Sequence, residues 1–258
     1  MDISGQITRR RTFAGTAGAL AAVAATKTVS AAVQKATFVL VHGSWHGGWC
    51  WRRVSDALTA NGHRVFTPTM TGLGERAHLM SADITLATHL TDIVNVVKFE
   101  DLNNIVLCGH SYGGMVVTGV AEQIADRISS IVYLDAYIPD DGQSMGEIST
   151  LHHAPGLSTP APPAAAFKVN AADQDWVNSH LTPQPNGVYA QKLHVTGAYG
   201  RIARRAYART TLYNSPTFKA NYDRLSATPG WRTYEIDSGH DAMVDRPQDV
   251  VRILQEAI

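Results

Sequence analysis

The stretch Asn104-Ile105-Val106-Leu107-Cys108-Gly109-His110-Ser111-Tyr112-Gly113-Gly114 decides how the rest of the chain is read. It is an apolar run, then a Gly-x-Ser-x-Gly turn, and it leads into Met115-Val116-Val117-Thr118-Gly119-Val120 with small residues at the start. The pattern predicts a short buried strand, a tight turn and a helix. A serine at the tip of such a turn takes a strained backbone, so its neighbours two before and two after must be tiny. Gly109 and Gly113 meet that need. The strain holds the Ser111 hydroxyl clear of the sheet, at a helix N-terminus whose free N–H groups favour negative charge. Ser111 is therefore a candidate nucleophile.

Outward from this turn, the chain alternates apolar runs with helical patterns. Thr37-Phe38-Val39-Leu40-Val41, Arg64-Val65-Phe66-Thr67-Pro68 and Ile131-Val132-Tyr133-Leu134 read as strands. Further strands are expected at Ala208–Tyr213 and Arg232–Ile236. Between them Thr88 to Val97 carries Leu90, Ile93, Val94 and Val97 on one helical stripe, and helices are expected over Thr217–Leu225 and from Pro247 to Ile258. Continuous β-branched runs suit strands covered on both faces. The fold class is α/β, a mostly parallel sheet with helices on both faces. From about 139 to 205 the alternation breaks around Pro155-Gly156-Leu157-Ser158-Thr159-Pro160-Ala161-Pro162-Pro163. That region, with Phe167, Trp176 and Tyr189, reads as a small inserted cap lining a pocket mouth.

The N-terminus reads differently. Thr8-Arg9-Arg10-Arg11-Thr12-Phe13 precedes an alanine-rich apolar stretch and then Thr28-Val29-Ser30-Ala31-Ala32, small residues at cleavage-site spacing. Residues 1–32 are expected to be a signal peptide of twin-arginine type, so the protein is expected to be exported, periplasmic or secreted. The apolar stretch is too short for a stable transmembrane helix. The remaining 36–258 suit one domain. Lys plus Arg and Asp plus Glu are both 22, so no net field draws in nucleic acid or an anionic membrane. Cys50 and Cys108 are too few for a disulfide framework and read as buried thiols.

A serine hydroxyl needs a base within hydrogen-bond reach. His240, in Ser238-Gly239-His240-Asp241 after the last strand, would be carried to the same sheet edge as Ser111. His110 adjoins the serine but should point away, as support for the turn. The base in turn needs a carboxylate to hold its tautomer, and Asp135 at the end of its strand is the candidate. Asp237 and Asp241 flank His240 too closely to orient its far nitrogen. Developing negative charge needs fixed donors. The Tyr112 N–H, directly after the nucleophile, and the Ser44 N–H, in His42-Gly43-Ser44-Trp45, are expected to supply them. His42 and His46 have metal-like spacing, but no nearby acid or thiol completes a ligand set and no metal or other cofactor is expected.

Three motifs, His42-Gly43-Ser44-Trp45-His46-Gly47-Gly48-Trp49, Gly109-His110-Ser111-Tyr112-Gly113-Gly114 and Gly239-His240, together resemble the α/β-hydrolase superfamily. The similarity is to the branch holding plant methylesterases, hydroxynitrile lyases and their bacterial esterase relatives. It implies a triad of Ser111, His240 and an acid, with the Ser44 and Tyr112 backbone as oxyanion hole. In that family the acid more often follows the next strand, where this chain has Tyr213-Asn214-Ser215-Pro216 and no carboxylate. The lyases carry a lysine after the histidine and a threonine at the position of Gly43; this chain has Asp241 and Gly43. The resemblance therefore implies hydrolysis of a small, hydrophobic ester, with amide, carbamate or lactone open. A non-hydrolytic lyase or a small-molecule receptor are the alternatives.

Overall fold

The structure is a computed structural model that describes residues 35–149 and 155–258. The expected signal peptide, residues 1–32, lies outside the described residues, as does a piece of the expected cap at 150–154.

Six strands form one sheet: β1 (Thr37–Val41), β2 (Arg64–Phe66), β3 (Ile105–His110), β4 (Ile128–Leu134), β5 (Arg204–Thr210) and β6 (Trp231–Ile236). Their order is β2-β1-β3-β4-β5-β6 and every pairing is parallel. The strand carrying Ser111 is central, and all six of its residues are buried. Alternate residues along the strands feed two separate cores, as the pleat requires. Val39, Val41, Ile105, Leu107 and Tyr133 face one layer, built with α2 (Leu86–Phe99), α3 (Gly113–Ile124) and α5 (Pro216–Ser226). Phe38, Leu40, Val106, Cys108 and Val132 face the other, built with α1 (Arg52–Ala60) and α6 (Pro247–Glu256). This two-sided burial is why β1 and β3 read as unbroken apolar runs.

Several element boundaries differ from the sequence expectation, β2 among them, which ends at Phe66 and not at Pro68. Strand β5 begins at Arg204, four residues earlier than Ala208, and ends at Thr210. Its outer residues Arg204 and Arg205 are polar, which hides the strand from a hydrophobic pattern, whereas Ala206 to Ala208 are buried. Strand β4 likewise starts earlier, at Ile128. Helix α2 runs a turn beyond the Thr88–Val97 stripe, opening where the Thr88 hydroxyl accepts the Thr85 N–H at 3.1 Å.

Between β4 and β5 the inserted segment holds a two-stranded antiparallel ribbon (Ser158–Thr159 with Gln184–Pro185) and α4 (Gln174–His180). Single helical turns lie at Met145–Ile148, Gly187–Ala190 and Ala198–Arg201. Cys50 and Cys108 are buried free thiols.

Candidate active site

The carboxyl ends of the parallel strands carry the candidate residues to one edge. Ser111 sits between β3 and α3 with φ +54°, a left-handed conformation rare outside glycine. Backbone bonds hold it there. Its N–H donates to Leu134 O at 3.2 Å, and its carbonyl accepts the Tyr137 N–H at 3.1 Å and the Gly114 N–H at 3.0 Å. Strain of this kind is of order 1–3 kcal/mol and persists only when its surroundings over-determine it. The two flanking glycines are steric requirements. A Cβ on Gly113 would lie 2.7 Å from the His42 and Val41 carbonyls, and one on Gly109 would strike the Gly113 carbonyl.

Asp135 follows β4, fully buried and also at positive φ, +44°. Its Oδ1 accepts the Thr210 N–H and its Oδ2 the Thr210 hydroxyl, both at 2.9 Å. The same Oδ2 lies 2.6 Å from His240 Nδ1. With the carboxylate accepting, Nδ1 carries the proton and Nε2 is left with its lone pair. The structure thus joins Asp135 to His240 although the acid leaves the sheet one strand early.

The His240 ring is held from several sides. Phe218 stacks on it at 5.4 Å and 9°, Tyr213 at 4.4 Å and 27°, and His110 lies 4.5 Å away. Its backbone N–H donates to Phe167 O of the inserted segment at 2.8 Å, and its carbonyl accepts from His110 Nε2 at 3.0 Å. His110 therefore supports the base loop as well as the turn; burial and the neighbouring His240 hold it well below its ordinary pKa, hence neutral.

The His42–Trp45 loop after β1 lies against Ser111: a Cβ on Gly43 would sit 2.9 Å from Ser111 Cβ. Among the described residues neither the Ser44 nor the Tyr112 N–H has a hydrogen-bond acceptor. The Gly43–Ser44 peptide is oriented through its carbonyl. Met70 N–H donates to His42 Nε2 at 3.0 Å, which leaves the proton on Nδ1 to donate to Gly43 O at 2.8 Å. Burial pushes His42 down to about 3, so it works as a neutral ring.

His46 has a partner the sequence did not disclose. Its Nε2 is 3.0 Å from Asp241 Oδ2 and its Nδ1 2.7 Å from Ser44 O, with both residues buried. Two acceptors on two nitrogens make the ring an imidazolium. Burial alone would lower His46, but the Asp241 charge and hydrogen bond raise it above its ordinary value. Burial likewise opposes ionisation of Asp241, yet the His46 charge and hydrogen bond hold it down to about 2.

Of the three aromatics expected to line the pocket mouth, Phe167 packs against His240, Trp45 and His46. Tyr189 is buried beside the Ser44 side chain. Trp176 does not line this site: it packs on Trp49, His180 and the Arg53 guanidinium beside α1. A surface cleft of about 720 Å³ bordered by Trp49, Arg52, Glu75 and His180 also lies apart, since neither Ser111, Asp135 nor His240 lines it.

Comparison with known proteins matches residues 38–253 to the alpha/beta hydrolase family. A carbendazim hydrolyzing esterase of Nocardioides sp. (strain SG-4G) is 41% identical, over 85% of this chain and 98% of that protein. Esterase PIR7B of Oryza sativa subsp. japonica is 34% identical over 85% of this chain and 94% of its own length. Among solved structures, an extracellular alpha/beta-hydrolase from a Paenibacillus species superposes with a TM-score of 0.71 at 24% identity, covering 86% of this chain and 98% of the other.

Proposed function

The chain belongs to the alpha/beta hydrolase family, and on that premise we propose that it cleaves a carboxylic ester of a small, hydrophobic molecule through an acyl-enzyme on Ser111. The observation that carries this reading is the His240 ring, bonded on Nδ1 to a buried Asp135 and left with a lone pair on Nε2. Nε2 takes the Ser111 proton as Oγ adds to the substrate carbonyl. The new C–O bond leaves negative charge on the carbonyl oxygen, to which the Ser44 and Tyr112 N–H groups donate hydrogen bonds. Asp135 stabilises the imidazolium without taking its proton. His240 then hands that proton to the departing alcohol, the C–O bond to the alcohol breaks, and the acyl group stays on Ser111. Water, deprotonated by the same nitrogen, releases the acid and restores the serine.

The relatives named as esterases support hydrolysis of small molecules. The aromatic walls from Phe167, Tyr213 and Phe218 support a hydrophobic acyl or alcohol group. The test is turnover of a nitrophenyl ester series and of carbendazim by the wild type and by Ser111→Ala. Turnover in the wild type, lost in the variant, is expected. Equal turnover by both proteins would remove Ser111 from the reaction. Folded protein with no turnover on any ester would move weight to the lyase and receptor alternatives.

A further inference from the structure

The His46–Asp241 pair is not explained by the reaction above, and its position is unusual. Asp241 directly follows the base, and His46 directly follows the loop that carries the Ser44 N–H. The pair thus ties two separate catalytic loops together at a point where both are buried.

What it holds can be followed bond by bond. The Ser44–Trp45 peptide has its carbonyl bonded to His46 Nδ1 at 2.7 Å and its N–H donating to Gln184 Oε1 at 2.9 Å. Trp45 is at φ +63°, a conformation a large L-residue adopts only under constraint. The next peptide towards the N-terminus carries the Ser44 N–H itself, and His42 holds that one through the Gly43 carbonyl. If the Ser44–Trp45 plane rotates, the strain at Trp45 relaxes and the Ser44 backbone turns with it. The His46 ring is fixed from behind by Trp49, stacked at 5.2 Å and 21°. The other titratable groups against the pair are His42, His110, His240, Asp245, Tyr213 and the Cys50 thiol; burial keeps His42 and His110 neutral and raises Asp245, Tyr213 and Cys50. Asp241 is the carboxylate that is hydrogen-bonded to His46.

We propose that His46 and Asp241 are positioning residues: an ion-paired clamp that sets the direction of the Ser44 oxyanion donor relative to the base loop. This rests on the serine-hydrolase reading. A donor matters most when the oxygen is an anion, so a loosened clamp should be felt in the transition state and little in substrate binding.

The experiment compares wild type, Asp241→Asn and His46→Gln, each checked for cooperative unfolding, with Ser111→Ala as reference. The clamp predicts kcat about 10- to 100-fold lower in Asp241→Asn with KM within about threefold. A trifluoromethyl ketone, whose adduct places an oxyanion in the hole, should lose affinity by a similar factor. ¹⁵N spectra of the histidines should show one doubly protonated ring at neutral pH that is lost in Asp241→Asn. If Asp241→Asn does not fold, His46→Gln, which keeps an amide donor for Ser44 O without the charge, carries the same kinetic test. Unchanged kcat and ketone affinity in a folded variant, with turnover still dependent on Ser111, overturns the clamp and leaves the hydrolase reading standing. Turnover that survives Ser111→Ala overturns both.

Discussion

Two buried histidine–aspartate pairs lie close together in this protein, and they are put to opposite uses. In His240–Asp135 the carboxylate takes one ring nitrogen and the other is left with a lone pair. In His46–Asp241 both ring nitrogens are engaged, one by the carboxylate and one by the Ser44 carbonyl. A histidine with one acceptor can exchange a proton; a histidine with two acceptors becomes a fixed cation. The local partner count, not the residue type, decides whether such a ring keeps a lone pair or both of its protons.

The comparison is broken most severely at the first pair. Asp135→Asn keeps the shape but presents an amide to Nδ1 and favours the wrong tautomer, so kcat should fall by about 10⁴-fold. Steady-state kinetics on whichever ester is turned over would check it, and a loss of less than tenfold would take Asp135 out of the triad. Thr210, which makes the two other hydrogen bonds to Asp135, should stay bonded in the variant, so folding is expected to be retained.

The second pair should appear in stability as well as in turnover. Breaking a buried charge pair by removing one partner costs about 3 kcal/mol, which urea unfolding of Asp241→Asn at neutral pH would read. The sign with pH follows from the two shifts. Asp241 is depressed to about 2, so its contribution is complete above the ordinary carboxylate range and is lost as pH falls from about 4 towards 2. His46 is raised, so its contribution is complete below its ordinary value and is lost as pH rises through the elevated one. The stability gap between wild type and Asp241→Asn should therefore be widest around pH 5–6 and close at both ends. A gap independent of pH would mean the pair is not ionic.

A third pair sharpens the contrast by doing nothing. His194 Nδ1 and Asp141 Oδ1 are 2.8 Å apart, closer than His46 and Asp241, but their side chains are 81% and 59% exposed. Water competes for both groups. Asp141→Asn should change turnover by less than about twofold and shift the melting temperature by less than about 2 °C. A larger shift in thermal melting would mean that distance alone ranks these pairs.

Much of this was legible in the sequence, for physical reasons that can be named. Ser111 announced itself because the backbone at φ +54° tolerates only small neighbours, and glycines are visible as letters. The buried strands were legible because two-sided burial leaves unbroken apolar runs, and β1 fell at Thr37–Val41 as expected. The start of β5 was hidden because two consecutive arginines do not read as an apolar run, although the Arg204 backbone pairs with β4 and that of Arg205 with both β4 and β6. The His46–Asp241 bond spans 195 positions, and no local pattern encodes a contact of that separation. Asp241 was legible as the absence of a lysine and as a carboxylate too near His240 to orient it, and Thr210 and Gln184 not at all, since each acts through long-range hydrogen bonds. Trp176 was misplaced because an aromatic residue in an insertion carries no mark of which side it packs on.

The bond from the His240 N–H to the Phe167 carbonyl has a consequence for anyone who would re-engineer this protein. Gly239, one residue before the base, lies so close to the Lys168 and Phe167 carbonyls that no side chain fits between them. The inserted segment is thus part of the mould in which the base loop is cast. Chimaeras that exchange it wholesale to import a new substrate preference would also exchange the surface that shapes the histidine loop. Grafts that keep Phe167 and Lys168 in place leave that surface intact and confine the change to the substrate side.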